Sequence, residues 1–422
     1  MDLSHVVFFF GSGVSIPSGM PDVQKITRGL FDPSIVFSNN GRYEHGIRAE
    51  PAPNSDERMS KIRGFLRVVH YHARRVLDES DKPNQPVTYE DLYHLCAQVV
   101  TDTSGGATRY TDPFNLAIRP FSEKLRRDAK PFLLEDPEPH ILDGSKPLLS
   151  TAEEGCWLIT GVVRGMLNSD NVDDDSALKE SFLPLLEAVN EAKCRQKDVK
   201  QVTIVTLNHD VLVETLLEKH CDLTPGIGFK DGFGPLEEGT RRYKPDRLFD
   251  DSAKVRVIKP HGSINWYSDE DGPIALPVTH RVSNRLRPRR FEKSEPSFLS
   301  GIGKEGRYQY GIFGDMVEAF QHVFRQTTNA IESGFGWQDE GMHNLLSRYL
   351  YRRKENQLLR LHPKKDPEDP ASEIKLPSHA YLKSLRVNSK GGLTPEGLID
   401  GPNYMSHEDV SWTKIKEVLG LP

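Results

Sequence analysis

The chain has 422 residues and a formal net charge of −6, with 36% hydrophobic and 27% charged residues, the profile of a globular protein with one large core and an insertion, or with two domains. No run approaches the roughly 20 apolar residues of a bilayer span, so no membrane partner is expected, and the acidic balance gives no bulk attraction for nucleic acid. Cys96, Cys156, Cys194 and Cys221 form no CxxC pair, which argues against a four-cysteine zinc site and for reduced thiols; with no basic leader, a cytoplasmic location is expected.

At the start, Val6 to Phe10 form an unbroken apolar run, the pattern of a parallel strand covered on both faces. Gly11, Ser12, Gly13, Val14 and Ser15 follow at once. Two glycines at the C-terminal end of a strand let the backbone approach a diphosphate and turn N–H groups toward its oxygens, where a doubly wound sheet binds its ligand. A tight turn without a ligand would use the same residues. The dehydrogenase pattern GxGxxG is not met, because the third glycine is displaced to Gly19 and Pro17 and Pro21 delay the helix.

Asp22 to about Gly46 reads as a short helix and a polar loop. Helical patterns then dominate from about Asp56 to Lys200. Ile62, Phe65, Leu66 and Val69 recur at helical spacing behind Asp56 as a cap, and Thr88 to Leu92 looks like a helix start. Glu153 to Leu167 and Ala177 to Ala192 continue the pattern, with a break between Asp128 and Asp143. This block is either a helical insertion in a sheet domain or an independent helical domain.

Three further strand ends follow. Val202, Ile204 and Val205 lead into Thr206-Leu-Asn-His-Asp210, where Asn208 either faces a ligand crevice or caps the helix that begins near Val211. Val255, Val257 and Ile258 lead into Lys259-Pro-His-Gly262, where His261 is a hydrogen-bonded structural histidine or a catalytic one. Asn329 to Ile331 end in a turn with Gly334 and Gly336, followed by a helix over Glu340 to Tyr351 whose start accounts for Asp339 and whose surface accounts for Asn344. Gln357 to Leu361 reads as a closing strand, and Trp412 to Leu419 as a terminal helix in a tail that either docks a partner or covers the sheet. Arg281, Arg285, Arg287, Arg289 and Arg290 make a local basic run, a solvated loop or a contact for phosphates or an acidic partner, as in a nucleic-acid-associated subunit.

The string Gly11-Ser-Gly-Val-Ser-Ile-Pro-Ser-Gly-Met-Pro-Asp22 resembles the NAD-binding motif GAGxSxxxGxPD of the sirtuin superfamily, with Ser12 in place of alanine. Thr206, Asn208 and Asp210 match its TQNID string, while Leu207 and His209 depart from it. His261 and Gly262 match its general-base HG, Ser263 and Trp266 extend the match to HGSxxW of prokaryotic members, and Gly334, Gly336 and Asp339 resemble a late GxGxxD element on the adenosine side of NAD. The resemblance covers residues 5–47 and 201–362. It implies a Rossmann-like doubly wound parallel α/β sheet over 1–47 and 201–365, with a helical insertion at 48–200 and a tail at 366–422.

The resemblance also implies roles. Gly11, Ser12, Gly13 and Ser15 would hold the diphosphate, with Pro21, Asp22, Thr206, Gly262, Gly334, Gly336 and Asp339 completing the NAD site. Asp210 would fix the carboxamide, and Asn208 and His261 would be catalytic. The zinc cysteines of the protein deacylases are absent, and Val23 and Gln24 replace their Phe-Arg pair. The missing zinc module and the helical block resemble bacterial antiphage NADases, which hydrolyse NAD as substrate without a metal. Such relatives imply a homo-oligomer, or a HerA-type ATPase or short Argonaute partner. An NAD or ADP-ribose sensor without turnover, or an NAD-dependent deacylase, are the alternatives.

Overall fold

The computed structural model describes residues 5–37, 43–45, 51, 53–79, 85–103, 123–134, 146–167, 175–194, 199–236, 240–269, 271–276, 298, 308–336, 339–353, 355–362, 404–406, 411–419 and 421. The basic run at 281–290 lies outside them. In chain order the strands are β1 (His5–Phe10), β2 (Ile35–Phe37), β3 (Tyr43–His45), β4 (Gln201–Thr206), β5 (Phe233–Pro235), β6 (Arg241–Tyr243), β7 (Val255–Ile258), β8 (Trp266–Asp269), β9 (Gly272–Ala275), β10 (Asn329–Ser333), β11 (Gln357–His362) and β12 (Tyr404–Ser406). The helices are α1 (Val23–Gly29), α2 (Ser55–Asp78), α3 (Tyr89–Thr103), α4 (Lys146–Met166), α5 (Asp175–Lys193), α6 (Leu212–Cys221), α7 (Gly311–Gln326), α8 (Glu340–Arg352) and α9 (Trp412–Leu419).

Six strands pair in parallel in the order β12-β11-β10-β1-β4-β7. Numbered along the chain and read from β7, this is 3-2-1-4-5-6, the order of a Rossmann-like doubly wound sheet, with its reversal between β1 and β10. β1 is central and wholly buried. Phe8 and Phe10 face Trp412 of α9 and Phe182 of α5, while Phe9 meets Phe320 of α7 and Phe335. The unbroken apolar run is thus explained by helices on both sides of the strand, each buried phenylalanine contributing about 2–3 kcal/mol. Glu332 in β10 and Arg360 in β11 stand opposite one another in register and form a buried pair at 2.8 Å. The other oxygen of Glu332 accepts from Phe335 N–H at 2.9 Å, tying down the turn that follows β10. β11 does not close the sheet, since β12 pairs beyond it. A second, antiparallel sheet, β5-β6-β9-β8, packs Phe233 and Trp266 into the same core.

The chain divides into two compact units, Met1–Met20 with Ser169–Arg281 and Glu305–Pro422, and Pro21–Asn168 with Val282–Lys304. The first holds the parallel sheet. In the second, α1 to α4 pack with the β2-β3 hairpin, and Glu154 of α4 is buried against Arg58, at 3.1 Å from its Nε, and the Tyr43 hydroxyl.

This division differs from the sequence reading at several places, among them 21–45, 175–193 and 282–304. Residues 21–45 join the helical unit because α1 packs on α3 and α4, and 175–193 join the sheet unit because α5 packs on β4 and α6. Asp56 is not the cap of α2 either: Asn54 stands at that position without a side-chain bond, and Asp56 lies in the first turn. The terminal helix falls on Trp412–Leu419 as read, and it packs on α5 as a cover for the sheet.

Candidate functional site

The four strand ends singled out in the sequence lie at the carboxyl ends of four adjacent strands, β10, β1, β4 and β7. At the reversal point the first and last loops touch backbone to backbone. Gly11 N–H donates to Ser333 O at 3.0 Å and Gly13 N–H to Gly334 O at 2.9 Å. A Cβ on Gly11 would sit 2.5 Å from Gly334 O, and one on Gly334, whose φ is +71°, would sit 2.1 Å from Val14 N. The demand for glycine at Gly11 and Gly334 is therefore met first by the approach of the two loops. Gly336 has no atom within 4 Å of its virtual Cβ. Ser12 is exposed at the start of a 3-10 turn over Ser12–Val14.

The loop after β4 is buried. Asn208, 7% exposed, does not cap α6: its Nδ2 donates to Ser15 Oγ at 2.9 Å, and its backbone N–H donates to Thr206 Oγ1 at 3.2 Å. Among the described residues Asn208 Oδ1 has no hydrogen-bond partner. The N-terminal turn of α6 is held instead by Asp210, whose Oδ1 accepts from Leu212 N–H at 3.0 Å. Burial pushes the Asp210 carboxyl above the usual carboxylate range, opposed by the Lys259 ammonium and by hydrogen bonds from Leu212 N–H and Ser15. Ser15 thus links the first loop to both Asn208 and Asp210.

The loop after β7 is laced to this one. Lys259, at the end of β7 and fully buried, donates to Asp210 O and, at 3.0 Å, to Glu214 Oε1. Ile264 N–H and Ser263 Oγ both donate to His209 O, at 2.9 and 3.3 Å. Between them Gly262 adopts φ +79°, which suits glycine, and its N–H closes a turn onto Lys259 O at 2.9 Å.

That turn presents His261, 5% exposed, with Nε2 2.7 Å from the Tyr308 hydroxyl and 3.2 Å from Asp339 Oδ2. Tyr308 lies parallel to the imidazole, its hydroxyl also donating to Asp339 Oδ2 at 3.2 Å, and the His209 ring is 6.1 Å from that of His261. Asp339 is a helix cap as well, its Oδ1 accepting Met342 N–H at 2.9 Å. Asn344 is exposed on the surface of α8.

The sheet unit therefore contains Gly11, Ser12, Gly13, Ser15, Thr206, Asn208, Asp210, His261, Gly262, Gly334, Gly336 and Asp339 on four neighbouring loops. Pro21 and Asp22 belong to the helical unit, where Asp22 caps α1 through Lys25 N–H at 2.6 Å. Sequence reasoning missed Lys259 and Glu214, 45 residues apart, and Tyr308, 47 residues from His261 and outside every motif. A lysine ending an apolar strand was the one available signal. An open depression of about 400 Å³ in the helical unit is lined by Gly64, Arg67, Val68, Tyr71, Asp128 and Phe132, none of them predicted site residues. Among the described residues no cluster of His, Cys, Asp and Glu is arranged to hold a metal ion, and no helix is long and apolar enough to cross a membrane. No family model matches the chain, and no curated protein is significantly similar to it.

Proposed function

We propose that the protein hydrolyses NAD to nicotinamide and ADP-ribose at the carboxyl ends of β1, β4, β7 and β10. The observation that carries this reading is Asn208, more than nine-tenths buried, with its amide nitrogen spent on Ser15 and its amide oxygen without a partner among the described residues. A buried acceptor left unmet costs about 1–3 kcal/mol, so a donor belongs there, and a ribose hydroxyl or the attacking water supplies one. The sequence strings shared with the sirtuin superfamily favour the same substrate. The N–H groups of Gly11 and Gly13 are committed between the loops, which leaves the exposed Ser12 as the candidate for the diphosphate.

In this reaction the oxygen of water bonds to the anomeric carbon of the nicotinamide ribose as the bond to nitrogen breaks. The electron pair leaves with nicotinamide, which becomes neutral. His261 accepts the proton of the attacking water and later returns it to solvent. Asn208 orients the water or the ribose hydroxyls, and Asp210 meets the carboxamide. Purified protein is incubated with NAD, and nicotinamide, ADP-ribose and cyclic products are separated. Release of nicotinamide with ADP-ribose, lost in both Asn208→Ala and His261→Ala, is expected; retained turnover in both variants would move the active site elsewhere.

We assign this activity to an antiphage effector that depletes NAD and rests in a low-activity state, because unrestrained hydrolysis of a central cofactor would kill its host. Self-assembly is the switch we favour. Turnover per subunit is measured across a wide concentration range with light scattering, and a rise on assembly is expected. Constant high turnover from dilute monomer upward, with no response to an added partner, would rule the switch out.

A further inference from the structure

One nitrogen of the His261 imidazole is met by two groups that no sequence motif placed beside it. Asp339 and Tyr308 both reach Nε2, and the Tyr308 hydroxyl also donates to the Asp339 carboxylate, so the three groups close a triangle. The carboxylate is fixed at both oxygens, Oδ1 by Met342 N–H at the start of α8 and Oδ2 by the triangle. Its side chain is 12% exposed, where a charge is screened less than at the surface. The Tyr308 ring lies 10° from parallel to the imidazole, with 5.9 Å between the ring centroids.

We propose that Asp339 is the positioning residue of His261, with Tyr308 as its second support. A carboxylate on one imidazole nitrogen holds the proton there, sets the ring's orientation and favours the imidazolium formed when the ring takes a proton. A general base that must accept a proton from water needs that assistance. Capping α8 alone does not require Asp339 to contact His261, since one carboxylate oxygen suffices for the cap. The role in turnover rests on the reading of His261 as general base; the ion pair itself does not.

The test separates the two. In the full-length protein with labelled histidine, the ring signal of His261 is assigned by its loss in His261→Gln and titrated. Among the described residues, the titratable groups facing it include Asp339, Tyr308 and His209. Asp339→Asn keeps a helix cap and removes the charge, and it is expected to lower the His261 midpoint by about one pH unit or more. Tyr308→Phe keeps the stacked ring and shifts the midpoint less. In NAD cleavage, Asp339→Asn is expected to lower kcat by about tenfold or more with KM little changed, and to move the acid limb of the pH profile downward. Asp339→Ser retains a capping hydroxyl and should share the kinetic loss at unchanged thermal stability. An unmoved midpoint in folded Asp339→Asn, or an unchanged pH profile in an active one, overturns the assignment. A moved midpoint in a protein that never cleaves NAD leaves the assignment standing and removes the hydrolase reading instead.

Discussion

Replacing Gly334 with alanine perturbs the contact between the loops after β1 and β10. The new Cβ would lie 2.1 Å from Val14 N and 2.7 Å from Gly13 C, against 3.4 Å or more for ordinary contact, so the loops must part by about 1.3 Å. Parting them breaks the bonds from Gly13 N–H to Gly334 O and from Gly11 N–H to Ser333 O, now 2.9 and 3.0 Å. Each buried group left unmet costs about 1–3 kcal/mol, and alanine at a φ of +71° adds about 1–2 kcal/mol. A loss on the order of 4 kcal/mol follows. The displacement would also reach Ser15 and through it Asn208, and under the proposed hydrolysis a shift of about 1 Å there would lower the rate by roughly a hundredfold. Urea unfolding of the full chain, followed by circular dichroism, should show a marked fall in midpoint for Gly334→Ala. Gly336→Ala, with open space around its Cβ, should stay within about 0.5 kcal/mol of the parent. Equal midpoints for parent and Gly334→Ala would show that the loop contact does not hold the site together.

Lys259→Met should cost about 3–5 kcal/mol, because it leaves the Glu214 carboxylate buried without its cation, and the double variant Lys259→Met with Glu214→Leu should recover most of the loss. A denaturation cycle on the four proteins measures this, and full additivity would dismiss the pair. Burial raises the Asp210 carboxyl above its ordinary value of 3.8, so its contribution to stability is complete below that value and is lost as pH rises through the folded pKa. Asp210→Asn should therefore gain stability relative to the parent as pH rises from about 4, then hold a constant advantage. Unfolding midpoints across that range check it, and an advantage that shrinks with pH would contradict it.

Much of the architecture was legible because local patterns report local physics. A strand covered on both faces is mostly apolar, so the unbroken run of β1 announced itself, and Gly or Asn next to such a strand end marks a loop that approaches something closely. The terminal helix and the four strand ends followed from the same reasoning. What the sequence left open depended on pairs far apart in the chain. Whether Asn208 capped a helix or faced a ligand crevice was open in the sequence; in the fold its amide nitrogen is taken by Ser15, 193 residues away, rather than by a helix end. The glycines of the first loop read as a cradle for a ligand, but tertiary packing commits two of their N–H groups to the carbonyls of the last loop. Lys259 with Glu214, and Tyr308 with His261, have no spacing that a pattern detects, because the ion pair and the hydrogen bond form only once β7, α6 and the start of α7 are folded around the same strand ends. Residue types and periodicity determined which strands were buried and where the loops began; the parallel pairing order determined which loops became neighbours, and thereby which polar groups found one another.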